Sequence, residues 1–277
     1  MTHTLHFSFF ETPATFTCTS ELTRDLLLHQ YSSLLVDGHA VEPELNYEVG
    51  GGEDGEPLYA RRGTEFDKSW PRIEQFLYRV EKDMTIRWQH IRNDLYFLHA
   101  SALDYGDGVI LLGGRSGNGK STTCWAMTNN GFNYLSDELS PIDPETMLVH
   151  PFPHALCLKA HPPAGYELPD TTLDAGRTLH VLPSDMKCDV IKQPKPVKAA
   201  LFVEYDSDLE KPELTPLTTA LSAANLYRHS LNALAHPNKG LGTAAKIVSS
   251  LSCAELKTAG LDDTCEVIWD FVRSLES

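Results

Sequence analysis

The sequence predicts an α/β fold built around a glycine-rich loop, preceded by a small α+β unit. Three observations predict it. Residues 108–112, Gly-Val-Ile-Leu-Leu, form an apolar run suited to a buried strand. Directly after it, Gly114, Gly119, Lys120 and Ser121 fit the pattern G-x-x-x-x-G-K-[ST] without a gap. Residues 122–128 then read as a helix that Gly131 stops.

Taken in order, residues 5–10 and 14–18 read as two short strands around Pro13. Residues 22–28 fit a short helix, and residues 34–36 another strand. Residues 43–57 hold four glycines and several acids, and read as a surface loop. From 67 to about 94, Ile73, Phe76, Leu77, Val80, Met84, Trp88 and Ile91 recur every three or four residues. That spacing predicts a long amphipathic helix with Pro71 near its start. It divides the chain into residues 1–90, an N-terminal α+β domain, and residues 91–277, a nucleotide-binding domain.

Residues 95–103 predict a strand that pairs as a hairpin with the strand before the loop. Residues 132–139 lead apolar residues into the acidic pair Asp137-Glu138, placing it close to the loop. Residues 155–158 are an apolar run, and Lys159 after them is either a phosphate contact or simply exposed, exposure being favoured. Residues 160–196 are rich in proline and read as an irregular, mobile lid. A strand is expected at 198–203, and helices at 218–234, 241–251 and 261–275.

The 277 residues are 42% hydrophobic, enough for a core. A net charge of −15 argues against nucleic acid and anionic membrane as partners. Six scattered cysteines form no C-x-x-C, which argues against a zinc site or a redox dithiol and fits a reducing compartment. No secretory signal is visible, and no window approaches the ~20 apolar residues of a membrane span. A cytoplasmic protein is expected.

The loop, Gly114, Arg115, Ser116, Gly117, Asn118, Gly119, Lys120, Ser121 and Thr122, is the candidate phosphate cradle. Its glycines let the backbone curl so that N–H groups face a phosphate, and the next helix adds its positive end. Lys120 would serve the outer phosphates and Ser121 a magnesium ion. The dinucleotide pattern G-x-G-x-x-G does not fit. Arg115 is either a further charge at the transferring group or simply exposed. His99 is either a core histidine or a helper at the site.

Residues 98–101 (Leu-His-Ala-Ser), 109–122 and 135–138 (Leu-Ser-Asp-Glu) together resemble the catalytic core of the HPr kinase/phosphorylase family. More closely they resemble HPr-kinase-related proteins, which include kinases of peptide products such as lasso-peptide kinases. The resemblance covers residues 92–205, with a weaker match beyond; the order histidine strand, phosphate loop, acidic strand is its specific part. It implies a P-loop kinase core related to phosphoenolpyruvate carboxykinase, using ATP and Mg2+ on a serine of a peptide or protein. It also implies a homo-oligomer, for which the sequence carries no interface signal. By position, Asp137 becomes the base, Glu138 and Ser121 the metal holders, and His99 the helper. This chain has Asp-Glu where the family has Asp-Asp. It also lacks the downstream glycine-arginine signature, which argues against HPr itself and against phosphorolysis. A non-catalytic nucleotide sensor and a kinase of a small hydroxyl metabolite remain open as rival readings.

Overall fold

The structure is a computed structural model, and it describes residues 2–38 and 43–275. Among these, three sheets and six α-helices form. The first sheet is laid down in order by β1 (His3–Phe9), β2 (Thr12–Cys18), β3 (Leu45–Gly50), β4 (Leu58–Arg62) and β5 (Phe66–Trp70). β2 and β3 run parallel; the other neighbours are antiparallel. A parallel pair needs a crossover, which α1 (Glu21–Tyr31) supplies. α1 begins where the Ser20 hydroxyl accepts the Thr23 amide, satisfying one of the free N–H groups of the first turn. α2 (Ile73–Ile91) follows and buries Phe76, Leu77, Val80, Met84 and Trp88. The Trp88 ring lies 4.5 Å from Phe9, 5.5 Å from Phe10 and 5.6 Å from Phe152, centroid to centroid. This apolar cluster also takes in Leu95, Phe97 and Leu139 from later in the chain.

After α2 come β6 (Ala100–Asp104), β7 (Val109–Gly113), α3 (Lys120–Asn129), β8 (Asn133–Ser136), β9 (Ile142–Asp143) and β10 (Leu148–Val149). β11 (Leu156–Leu158), β12 (Leu173–Asp174) and β13 (Leu179–Val181) make a small antiparallel sheet with β13 in the middle. β14 (Lys195–Tyr205), β15 (Glu213–Pro216), α4 (Thr219–Arg228), α5 (Leu241–Val248), β16 (Ser252–Thr258) and α6 (Leu261–Ser274) follow.

The largest sheet runs β15-β16-β14-β7-β6-β8, with β9 and β10 attached beside β14. β7 is parallel to β14 and antiparallel to β6. Its five residues are all buried. Successive side chains of a strand point to opposite faces. Accordingly Ile110 and Leu112 join Trp125 of α3 and Ile268 of α6, while Val109 and Leu111 join Leu226 of α4 and Ile247 of α5. The sheet is thus covered by helices on both faces, and the loop follows the carboxyl end of the interior strand β7.

Several sequence expectations are corrected. The stretch 43–57 is not all loop: Leu45, Tyr47 and Val49 alternate inward as β3, and only the part after Gly50 turns. Residues 34–36 form no strand; Leu35 makes a lone bridge to Phe7. The helix expected from 67 starts at Ile73, because residues 66–70 pair with β4. Its end falls at Ile91. Residues 160–196 contain β12 and β13 rather than wholly irregular chain. The helix expected over 218–234 stops at Arg228, and that over 241–251 at Val248. Strands β15 and β16 lie outside the expected set. The hairpin of β6 and β7 and the last helix match expectation, except that the strand expected from Leu95 begins at Ala100, with His99 just before it and only isolated bridges at Tyr96 and Leu98.

Trp88→Ala opens a hole at the centre of the first apolar cluster. It is expected to cost about 3–5 kcal/mol, read as a lowered urea midpoint; a midpoint within experimental error of the wild type contradicts the packing argument.

Candidate functional site

β7 ends at Gly113 and α3 begins at Lys120, so the predicted motif occupies a strand–loop–helix junction. Gly119 caps α3 with φ 86°, a left-handed conformation that disfavours a side chain. At Gly114 a Cβ would stand 2.6 Å from the Val203 carbonyl oxygen, so β14 closes directly on the back of the loop. The first N–H groups of α3 lack intrahelical acceptors and carry the helix's partial positive charge.

Lys120 is buried, only 7% exposed. Its ammonium donates to the Gly114 carbonyl at 3.0 Å and lies 3.3 Å from His99 Nε2. An ammonium can only donate, so His99 Nε2 accepts. Nδ1 then carries the proton, which it gives to Glu138 Oε2 at 3.0 Å. Lys120, His99 and Glu138 therefore form one chain from loop to acid. Burial lowers the Lys120 pKa, opposed by the charges of Asp137 and Glu138. Burial alone would raise Glu138; the His99 hydrogen bond, with His154 and Lys120, outweighs it and leaves the carboxyl below its ordinary value.

Asp137 lies behind this chain, 1% exposed. Oδ1 accepts the Ser101 hydroxyl at 2.8 Å, and Oδ2 faces the Cys157 amide at 3.4 Å. Burial and the neighbouring Glu138 charge raise its pKa, against smaller contributions from the Ser101 and Ser121 hydroxyls and from His154. Two adjacent acids are thus pushed apart: Glu138 toward the ionised form, Asp137 toward the protonated one.

A cavity of about 240 Å³ brings together His99, Ser116, Lys120, Ser121, Glu138 and Lys159. Asp137 is not among its lining residues. Ser121 and Glu138 offer two oxygen donors facing one space. That fits magnesium, which is held by one or two protein oxygens and takes its remaining ligands from phosphate and water. The structure does not bring Arg115 to this space. Arg115 and Asn118 line a neighbouring cavity with Arg228 and His229.

Sequence reasoning missed Ser101 and Cys157 as neighbours of the site. Lys159 is exposed, as its sequence context favours, and its ammonium also donates to the Ser116 hydroxyl of the loop. Ser101 had a signal only in its closeness in sequence to His99, which precedes β6 while Ser101 lies within it. Cys157 had none, since β11 reaches Asp137 only through tertiary packing. Behind Cys157 the N-terminal helices join in. His180 Nδ1 lies 3.3 Å from the Cys157 thiol and 2.8 Å from Gln30 Oε1. Burial lowers the His180 pKa to about 4, so that ring is neutral. Gln30 and Tyr31 of α1 donate to Glu81 of α2 at 3.3 and 2.8 Å.

Among solved structures the chain is similar to the Hpr(Ser) kinase/phosphatase from Coxiella burnetii, with 12% identity and a TM-score of 0.33, over 65% of this chain and 99% of that one. A likeness this distant carries no functional argument. No family model and no curated protein matches the chain. The fold is that of a mixed α/β protein in which a glycine-rich loop, its lysine and Glu138 meet at one cavity. No helix of the described residues is long and apolar enough to cross a membrane.

The Asp137 shift has a sign that can be checked. Its folded pKa is raised, so its contribution to stability is present below the ordinary value of 3.8 and is lost as pH rises through the folded value. Asp137→Asn is therefore expected to raise the melting temperature at pH 7 by a few degrees, and the gain should vanish below about pH 3.8. Thermal scans at both pH values decide; a lower melting temperature at pH 7 refutes the burial argument.

Proposed function

We propose that this protein is a kinase that transfers the γ-phosphate of ATP, with magnesium, to a hydroxyl, most simply a serine of a peptide or protein. The observation that carries the reading is the continuous chain Lys120–His99–Glu138 across a cavity walled by the loop. Phosphoryl transfer asks chiefly for positioning and charge neutralisation. The loop N–H groups, from Gly114 to Thr122, and Lys120 hold the phosphates. Ser121 and Glu138 hold the magnesium ion, which neutralises charge on the phosphate oxygens. His99 fixes Glu138 in place and keeps it ionised. Asp137, with its raised pKa, takes the proton of the incoming hydroxyl; a base positioned in this way contributes about 10²–10⁴ in rate.

A specific observation favours a second assignment within the same reaction. Glu138 faces the cavity whereas Asp137 is behind it. In that assignment Glu138 accepts the proton and Asp137 acts by holding Ser121. The two make opposite demands on the pH profile, because the two carboxyls are shifted in opposite directions.

The test uses the purified chain with labelled ATP, magnesium and serine peptides. Transfer is expected, and Lys120→Ala and Asp137→Asn should each reduce it by about 100-fold or more. The acidic limb of kcat/KM should lie above the ordinary carboxylate range if Asp137 is the base, and below it if Glu138 is. Full transfer by Asp137→Asn overturns the first assignment. Tight ATP binding with no transfer to any acceptor and no hydrolysis would make the protein a nucleotide sensor instead.

A further inference from the structure

A second and larger cavity, about 630 Å³, adjoins the first. It shares Gly117, Gly119 and Thr122 with it but includes none of Lys120, Ser121 or Glu138. Its own contribution from α3 is Thr123. A loop of this pattern has a direction. The lysine and the hydroxyl after it attend the outer phosphates and the metal, whereas the backbone of the loop and helix start attends the inner ones. A triphosphate with its outer end among Lys120, Ser121 and Glu138 therefore leaves at Thr122 and Thr123, into the second cavity.

The walls there suit what is attached to the inner phosphate. Tyr205, the last residue of β14, is 57% exposed although its Cβ lies 3.6 Å from where a side chain at Gly119 would begin. Pro163, Leu209 and Leu261 add apolar surface. Asp206 and Ser207 add oxygens, one of which, Asp206 Oδ1, already accepts the Asp208 amide at 3.0 Å. A flat aromatic face, apolar sides and a few oxygens are the chemistry that takes a base and a sugar.

We infer that this cavity is the nucleoside half of the donor site, with the base stacked on Tyr205 and the ribose hydroxyls against Asp206 and Ser207. The inference rests on the ATP-kinase reading above and deepens it by assigning the residues that would hold the nucleoside of the donor. The experiment measures calorimetric affinities of the full chain for magnesium-ATP and for magnesium with inorganic tripolyphosphate. ATP is expected to bind about tenfold or more tightly than tripolyphosphate, the scale of one stacked base. Tyr205→Ala should weaken ATP by about the same factor and leave tripolyphosphate within about twofold, while Tyr205→Phe should match the wild type. Tyr205 is exposed, so the substitution does not disturb the core. Lys120→Ala should weaken both ligands. Equal binding of ATP and tripolyphosphate, both lost in Lys120→Ala, overturns the nucleoside site and leaves the loop reading standing. An ATP preference that survives Tyr205→Ala overturns the stacking. Binding of neither ligand, or binding indifferent to Lys120→Ala, overturns the loop reading and this inference with it.

Discussion

A buried ammonium is the constraint on which the rest of the site turns. Removing a lysine from water costs several kcal/mol unless its charge is met. Lys120 is met by a carbonyl of its own loop and, through His99, by Glu138. That requirement fixes three elements at once. α3 must begin at Lys120, β6 must be preceded by His99, and β8 must end beside both. The antiparallel pairing of β6 with β7 and with β8 delivers this arrangement, placing the acids two strands from the loop strand with β6 between.

The acids in turn depend on the first sheet and its helices. Cys157 presents its amide to Asp137, and His180, Gln30, Tyr31 and Glu81 continue that contact to α1 and α2. Burial raises the Glu81 carboxyl. A network of this kind is stiff only when its members are satisfied, and most of its polar atoms are. The His154 Nε2 atom is an exception: it is buried, has no hydrogen-bond partner, and lies 4.0 Å from Glu81. The N-terminal third of the chain is therefore physically continuous with the back of the site.

What the amino-acid order reveals by itself divides along the range of the interactions. The loop was legible because its chemistry is local: glycine positions, the lysine and the helix start lie within nine residues, from Gly114 to Thr122. α2 and α6 were legible from their periodicity, and the β6–β7 hairpin from two apolar runs joined by a tight turn. β3 was hidden because its three inward residues sit beside glycines and acids that mimic a loop. β15 was hidden because a short strand at a sheet's margin owes its form to a partner rather than to its own pattern, and β16 because its Cys, Glu, Lys and Thr positions give no apolar run. The direction in which each acid faces was not legible either. Asp137 and Glu138 are adjacent in sequence, and only the fold decides which one sees the cavity.

The order of strands in the large sheet also bears on how the chain comes to be folded. β14 lies between β7 and β16, and β15 pairs with β16 although it precedes it in sequence. When a ribosome has released the chain as far as residue 251, β14 has one open flank and β15 has no mate. The sheet that carries the loop thus closes only when β16 emerges, with contacts bridging more than a hundred residues between β7 and β16 through β14. Such long-range parallel closure is slow. Until then the nascent protein shows a bare strand edge, the kind of surface on which chaperones act and misassembly begins.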